Sequence, residues 1–295
     1  MSRALVLGGG GPVGIAWEAG LLAGLAEGGV AAAQADFITG TSAGSVVGAL
    51  IAMGRPPGEI AGPIIAEADR PRPIPQQVAE DRPGGPNMML LFQKMQEVAA
   101  GVRDPAEVRR EIGAFSLEAK TVDETAFIGG FGRQLAEAGE GVWPGHAYAC
   151  TAVDCETGEF VVWNAEAKVS LSRAVASSCS VPGVFPAITI NGRKYMDGGM
   201  RSATNADLAK DYSKALVIAV RLAGGELGER MMQPLERELR VIRDAGGEVE
   251  LITPDEASME AFGANLMNPR NRPASAKAGL EQGRKAAEGM TRFWG

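Results

Sequence analysis

The feature that most limits what this chain can fold into is the pentapeptide Gly40-Thr41-Ser42-Ala43-Gly44. An apolar dipeptide, Phe37-Ile38, runs into it, and a small-residue apolar run, Ser45 to Met53, leaves it. The pattern predicts strand, sharp turn and helix, with one serine at the apex: the nucleophile elbow G-x-S-x-G. Raising a serine hydroxyl on such a turn presses the flanking backbones together. The positions two before and two after it, Gly40 and Gly44, must therefore lack bulk.

The 295 residues suit one large α/β domain or two smaller ones, and the 45% apolar content is enough for a core. Forty glycines and few aromatics point to helices packed closely on a sheet. The net charge is −7 with no block of Lys and Arg, which argues against nucleic acid as a partner and gives no attraction to an anionic membrane. Cys150, Cys155 and Cys179 are an odd count without metal-ligand spacing, as expected of reduced thiols. Met1 to Leu7 is too short for a signal sequence, and no segment reaches eighteen apolar residues. The expected location is the cytoplasm, with at most transient contact at a membrane surface. The oligomeric state is not legible.

Ala4 to Leu7 reads as a buried strand, Gly8 to Gly11 as a loop, and Gly14 to Glu27 as a helix stopped by Gly28-Gly29. Backbone N–H groups at a strand–loop–helix junction favour anions and oxyanions. Gly9-x-Gly11-x-x-Gly14 also matches the dinucleotide fingerprint, so a nucleotide-binding or catalytically silent scaffold is a rival reading. That fingerprint wants an acid at the end of the second strand. Asp36 has the right separation but precedes Phe37-Ile38, at the strand's start.

Residues 55–145 differ in character. Prolines crowd 56–86, and Asn87 caps a predicted helix carrying Met88, Leu91, Phe92, Met95 and Val98, either packed on the core or serving as a lid for acyl chains. Further helices are expected near Pro105 to Ile112 and Asp123 to Glu137. Strands follow at His146 to Val153 and Glu159 to Trp163, then a small-residue helix over Val169 to Cys179 and a proline-fixed loop to Pro186. A hairpin turning at Asn191-Gly192 ends in Asp197-Gly198-Gly199. A helix begins at Asn205, Ala215 to Val220 is a buried strand, Glu226 to Ala245 a charged helix, and Val249 to Ile252 a strand. The tail from Pro273 to Phe293 reads as a surface helix.

A serine nucleophile needs a base. The chain has one histidine, His146, and it lies between Ser42 and Asp197, which breaks the Ser, Asp, His order of the α/β-hydrolases. It follows Trp-Pro-Gly and reads as a turn residue. A carboxylate within reach of the serine hydroxyl can instead orient it and take its proton. Asp197 ends a predicted strand, and two glycines after it leave the approach open.

Gly9-Gly10-Gly11-Pro12-Val13-Gly14, the Gly40–Gly44 elbow, the Pro-Gly-Val-Phe-Pro loop within Ser178 to Pro186, and Asp197-Gly198-Gly199 occur in the order and at the separations of one family. The chain resembles the patatin-like phospholipases, bacterial lipid acyl hydrolases, over about 1–54 and 147–210. The resemblance implies a three-layer α/β/α sandwich with a mostly parallel central sheet, as a single domain over 1–295. In it, 55–145 is a variable helical, proline-rich cap, and 221–295 adds a C-terminal strand and helices. It implies a serine hydrolase acting on the carboxylic esters of lipids, with Ser42 as nucleophile, Asp197 as base, and the N–H groups of Gly10 and Gly11 as oxyanion hole. Gly9 and Gly14 frame the glycine-rich motif, and Gly198 and Gly199 complete the acidic one. It implies no cofactor and no metal, and a lipid or acyl-ester substrate; acyl transfer to another acceptor would use the same dyad. Two departures stand out. Val13 occupies the position where the family places Arg or Lys, and the spacing from Gly14 to Gly20 is one residue off the common pattern.

Overall fold

A computed structural model describes residues 1–69, 91, 93–94, 97–98, 101–138, 142–220 and 225–295. Most of the proline-rich stretch lies outside them, as do Asn87, Met88, Phe92 and Met95 of the expected amphipathic helix; Leu91 is buried and Val98 partly so.

Among the described residues five strands run parallel: β1 (Arg3–Leu7), β2 (Phe37–Gly40), β3 (Tyr148–Asp154), β7 (Lys214–Ile218) and β8 (Glu248–Ile252), ordered β3-β2-β1-β7-β8. Three antiparallel strands extend the β3 end: β4 (Phe160–Trp163), β5 (Ile188–Ile190) and β6 (Arg193–Asp197). The continuous apolar run of β1 has the reason expected of a central parallel strand, burial on both faces. Leu5 and Leu7 belong to one core, while Ala4 and Val6 belong to another across the sheet.

The first core is closed by α1 (Gly11–Glu27), α2 (Ala43–Ala52), α3 (Pro57–Ala66), α6 (Leu171–Ser178) and α9 (Arg272–Trp294). The opposite face is covered by α7 (Gly225–Asp244), through Leu235, Leu239 and Ile242, and by α4 (Pro105–Glu118), through Val108 and Ile112. Two further helices are α5 (Glu124–Ala138), which packs on α6, and α8 (Glu256–Phe262), which packs on α9. The result is the expected α/β/α sandwich with a mostly parallel sheet.

The tail is not the surface helix that its charges suggest. Helix α9 buries Ala276, Gly279 and Gly283 against α1, Ser275 at the Ala261 oxygen of α8, and Trp294 beside Arg3 and Ala31. A Cβ on Gly20 or Gly24 would lie 2.0 Å from the Ala276 carbonyl oxygen or 2.2 Å from that of Leu280. Reciprocally, one on Gly279 or Gly283 would lie 2.3 Å from the Trp17 oxygen or 2.2 Å from that of Leu21. Pairs of glycines four apart put a bare stripe on each helix, so the backbones touch. Such stripes carry no apolar side chains, which hides the contact from a hydrophobicity pattern. Trp17 anchors the pair, its indole N–H shared between Ser258 Oγ at 3.2 Å and Gln282 Oε1 at 3.1 Å.

Gly24→Ala must therefore push α1 and α9 apart, and overpacking of this kind costs about 1–3 kcal/mol. Gly62 lies exposed in α3 with open space at its Cβ. Gly62→Ala should instead stabilise by about 0.5–1 kcal/mol through helix propensity. Urea melts of the two variants should move in opposite directions; a shared direction would refute the close-packing account.

Candidate active site

Strand β2 ends at Gly40 and α2 starts at Ala43, so Thr41 and Ser42 form the turn. Ser42 has φ 53° and ψ −117°, a left-handed conformation that costs a non-glycine residue about 1–3 kcal/mol. Several bonds hold it there. Thr41 N–H donates to the Leu7 oxygen at 3.0 Å, Gly44 N–H to the Gly8 oxygen at 2.9 Å, and Ser42 N–H to Ser178 Oγ at 3.0 Å. The Ser42 carbonyl accepts from Ser45 Oγ at 2.6 Å and from Cys179 Sγ at 3.2 Å. The anticipated crowding is present: a Cβ on Gly40 would meet the Gly44 oxygen at 2.3 Å, and one on Gly44 the Leu7 oxygen at 2.2 Å.

Pairing along β3 brings the acid to the serine. Cys150 is in register with both Gly40 of β2 and Trp163 of β4, and Ala152 with both Asp197 of β6 and Val161 of β4. A strand has two edges. Strand β4 takes one, so β2 and β6 share the other, running toward each other. Their C-terminal residues, Gly40 and Asp197, stop two register positions apart, roughly 7 Å along the strand. The turn after Gly40 then lifts Ser42 beside the Asp197 carboxyl.

Asp197 is 2% exposed, and burial raises its pKa to about 7 against the opposing pull of the Ser42 hydroxyl and the Gly199 N–H. Its Oδ1 accepts the Gly199 N–H at 2.7 Å, while Oδ2 makes no hydrogen bond of full geometry with any described residue. The serine and the carboxyl thus approach without closing a tight bond. Gly198 lacks a side chain because Thr151 Oγ1 lies 2.2 Å from where its Cβ would be.

The glycine loop sits above the end of β1, next to the elbow. Gly8 N–H donates to the Ile218 oxygen at 2.9 Å and Gly9 N–H to the Ala203 oxygen at 2.7 Å. A Cβ on Gly9 would lie 3.4 Å from Ser42 Cβ, and one on Gly14 3.3 Å from Ala43 Cβ. Gly10 and Gly11 donate to no acceptor among the described residues, and both are partly exposed at the N-terminus of α1. Gly11 has φ +60°, and a Cβ there would meet Met267 Sδ at 2.8 Å. Val13 is fully buried and donates its N–H to the Leu266 oxygen at 3.2 Å, so core packing fills the position where a cation was expected.

His146 is far from this cluster. It precedes Tyr148, which pairs with Ile38, so it lies near the start of the parallel strands while Ser42 leaves their far end. Asp36 lies at that same starting end and accepts the Arg3 N–H at 2.6 Å, out of reach of anything bound at the glycine loop. Among the described residues, no three of His, Cys, Asp and Glu converge to hold a metal ion. All three cysteines are free and buried, and burial pushes each thiol up, Cys150 and Cys155 to about 12.

Sequence reasoning missed several residues. Glu18, one turn below Gly14 in α1, is completely buried, its carboxyl oxygens lack full hydrogen bonds, and burial raises its pKa well above the usual range despite a contact with the Gly8 backbone. A single acid in the apolar run of α1 was its signal. Ser178 and Asn205 had no comparable one.

The Asp197 environment has a consequence for stability. Between about pH 3.8 and 7 the folded chain holds a proton that the unfolded chain has released. This contribution is full at the acid end and is lost as pH rises to 7; the ionised group then costs the fold on the order of 4 kcal/mol. Asp197→Asn should therefore be more stable than the parent at pH 8 by a few kcal/mol, with the gap closing toward pH 4. Urea unfolding at both pH values measures it, and a pH-independent gap would contradict the assignment.

A family model described as Patatin-like phospholipase matches residues 5–210, which hold the glycine loop, the elbow and Asp197. A comparison with curated proteins found no match. Among solved structures, VipD from Legionella pneumophila is similar at 14% identity and TM-score 0.48, over 98% of this chain and 67% of that one. The type III effector protein ExoU is similar at 16% identity and TM-score 0.41, over 98% of this chain and 53% of that one. The chain thus spans about two thirds and about half of those two proteins. The match over most of the chain, including all three site segments, establishes that it belongs to the patatin-like phospholipase family.

Proposed function

We propose that the protein is a serine lipid acyl hydrolase, a phospholipase or esterase in which Ser42 and Asp197 form the catalytic dyad. One observation carries the reading: a buried carboxyl with a pKa raised to about 7 faces the hydroxyl of a serine on a strained elbow. A carboxylate with that pKa is a far better proton acceptor at neutral pH than an ordinary aspartate.

Ser42 Oγ attacks the ester carbonyl carbon as its proton passes to Asp197. The N–H groups of Gly10 and Gly11 take up the negative charge on the carbonyl oxygen, aided by the N-terminal end of α1. The C–O bond to the leaving alcohol breaks, and Asp197 returns the proton to that alcohol. Water then attacks the acyl-enzyme, losing a proton to Asp197, and the released Ser42 oxygen recovers it. Each oxyanion donor of this kind is worth about 3–4 kcal/mol in the transition state.

The family points to lipid esters as the substrate class. We place the enzyme in the cytoplasm, with transient contact at a membrane surface; no helix among the described residues is long and apolar enough to cross a membrane. We assign 55–145 as a variable cap or insertion, of which α3 and α4 also pack on the sandwich, and 221–295 as the C-terminal part of a single domain. Phe127 of α5, stacked on Phe185 of the proline-fixed loop at 4.7 Å, supports the cap assignment.

Hydrolysis of p-nitrophenyl acyl esters tests the reading. Ser42→Ala should lose at least about a thousandfold in kcat/KM, and a fluorophosphonate should label Ser42 in the parent alone. Equal rates for the parent and Ser42→Ala would end the proposal. Because Asp197 must be ionised to accept a proton, kcat/KM should rise about tenfold per pH unit below about pH 7 and level off above it. His146→Ala should keep most activity. Product analysis separates hydrolysis from acyl transfer.

A further inference from the structure

We propose that Asn205 is the positioning residue that sets the approach of Asp197 to Ser42, and that Glu238 of α7 holds Asn205 in place. The inference rests on the dyad reading, but its geometry stands apart from the reaction.

Asn205 is completely buried and left-handed, with φ 50° and ψ 40°. Asparagine is among the few side chains that accept this conformation. Its Nδ2 reaches both halves of the site: Thr41 Oγ1 at 3.0 Å, immediately before Ser42, and the Gly198 oxygen at 3.4 Å, immediately after Asp197. The same nitrogen lies 3.3 Å from Thr151 Oγ1 on β3 and 2.9 Å from the Ser202 oxygen. Thr41 and Thr151 are themselves bonded at 2.9 Å. One amide thus spans the gap where β2 and β6 meet on β3.

The amide is fixed from behind. Arg201 donates to Asn205 Oδ1 at 2.9 Å while paired to both Asp207 oxygens, at 2.8 and 2.7 Å, and it lies over the Phe160 ring at 4.3 Å. This sets which end of the amide faces Thr41. Glu238 Oε2 accepts from Thr204 Oγ1 at 2.7 Å and from the Ala206 N–H at 2.8 Å, gripping the residues on either side of Asn205. The charged groups around the amide are therefore Asp197, Arg201, Asp207 and Glu238. Burial keeps the Glu238 carboxyl above its usual pKa. The outer anchor thus comes from a helix beyond the segment that the family model matches.

Two Asn205 variants separate positioning from simple support. Asn205→Gly keeps the left-handed backbone at ease and removes the amide; Asn205→Asp keeps the shape but replaces the donor with an acceptor. Carbon-13 NMR titration of the Asp197 carboxyl reads the site without any turnover. In Asn205→Gly, loosening admits water, and the Asp197 midpoint should fall by a pH unit or more. In Asn205→Asp, the added negative charge should raise it. With p-nitrophenyl esters, Asn205→Gly should lose 10- to 100-fold in kcat with KM changed less than about twofold. Glu238→Ala should lose about three- to tenfold in kcat, and Glu238→Gln, which keeps the acceptor, should retain most activity. An unmoved Asp197 midpoint in folded Asn205→Gly and Asn205→Asp overturns the proposal, as does parental kcat in folded Asn205→Gly. A shifted midpoint in a chain whose parent shows no Ser42-dependent hydrolysis would uphold the positioning role and refute the proposed activity.

Discussion

Strand β3 has two edges, and one of them is used twice. Strand β2 climbs it in parallel to Cys150, and β6 descends it in antiparallel to Ala152. Neither strand can continue without colliding with the other, so each chain must turn out of the sheet at that level. The elbow at Ser42 and the 3₁₀ turn at Gly198–Met200 are the two exits. The rest of the architecture serves this junction: β1 lies beside β2 and ends level with it, which puts the glycine loop against the elbow.

Such a junction leaves polar groups stranded inside the protein, because the ladder stops short on both strands. Here side chains take over. Thr41, Thr151, Ser202 and Asn205 tie the strand ends to one another, and Ser178 meets the Ser42 N–H. A satisfied network of this kind holds one geometry. Some of the groups left without a full partner fall where reactivity is proposed. Asp197 Oδ2 lacks a full bond, and the N–H groups of Gly10 and Gly11 have no acceptor among the described residues. The buried Asp197 oxygen costs stability by lacking a full partner, and all of these groups are available to bind the proton or charge that develops during a reaction.

The elbow and the Asp-Gly-Gly turn were legible because backbone crowding forces glycine at fixed offsets, and such offsets survive in a linear pattern. Buried strands were legible from their apolar runs. The docking of α9 was not, because a glycine stripe looks the same as a flexible segment until a second stripe faces it. Asn205 was not, because its partners Thr41, Thr151 and Gly198 are 164, 54 and 7 residues away in the chain. Val13 was legible as a departure; that it is core, covered by Leu266 and its neighbours, was not.

By itself, then, the sequence determined the local conformations: a strained turn with a serine at its tip, a glycine loop opening a helix, and an acid closing a hairpin. Each depends on residues adjacent in the chain and on steric rules that act over a few bonds. Only the tertiary structure decided that the acid meets the serine and that its pKa rises to about 7, because both follow from which strand edge is shared and how completely water is excluded. Those are properties of pairing and burial, and they exist only once distant segments have come together.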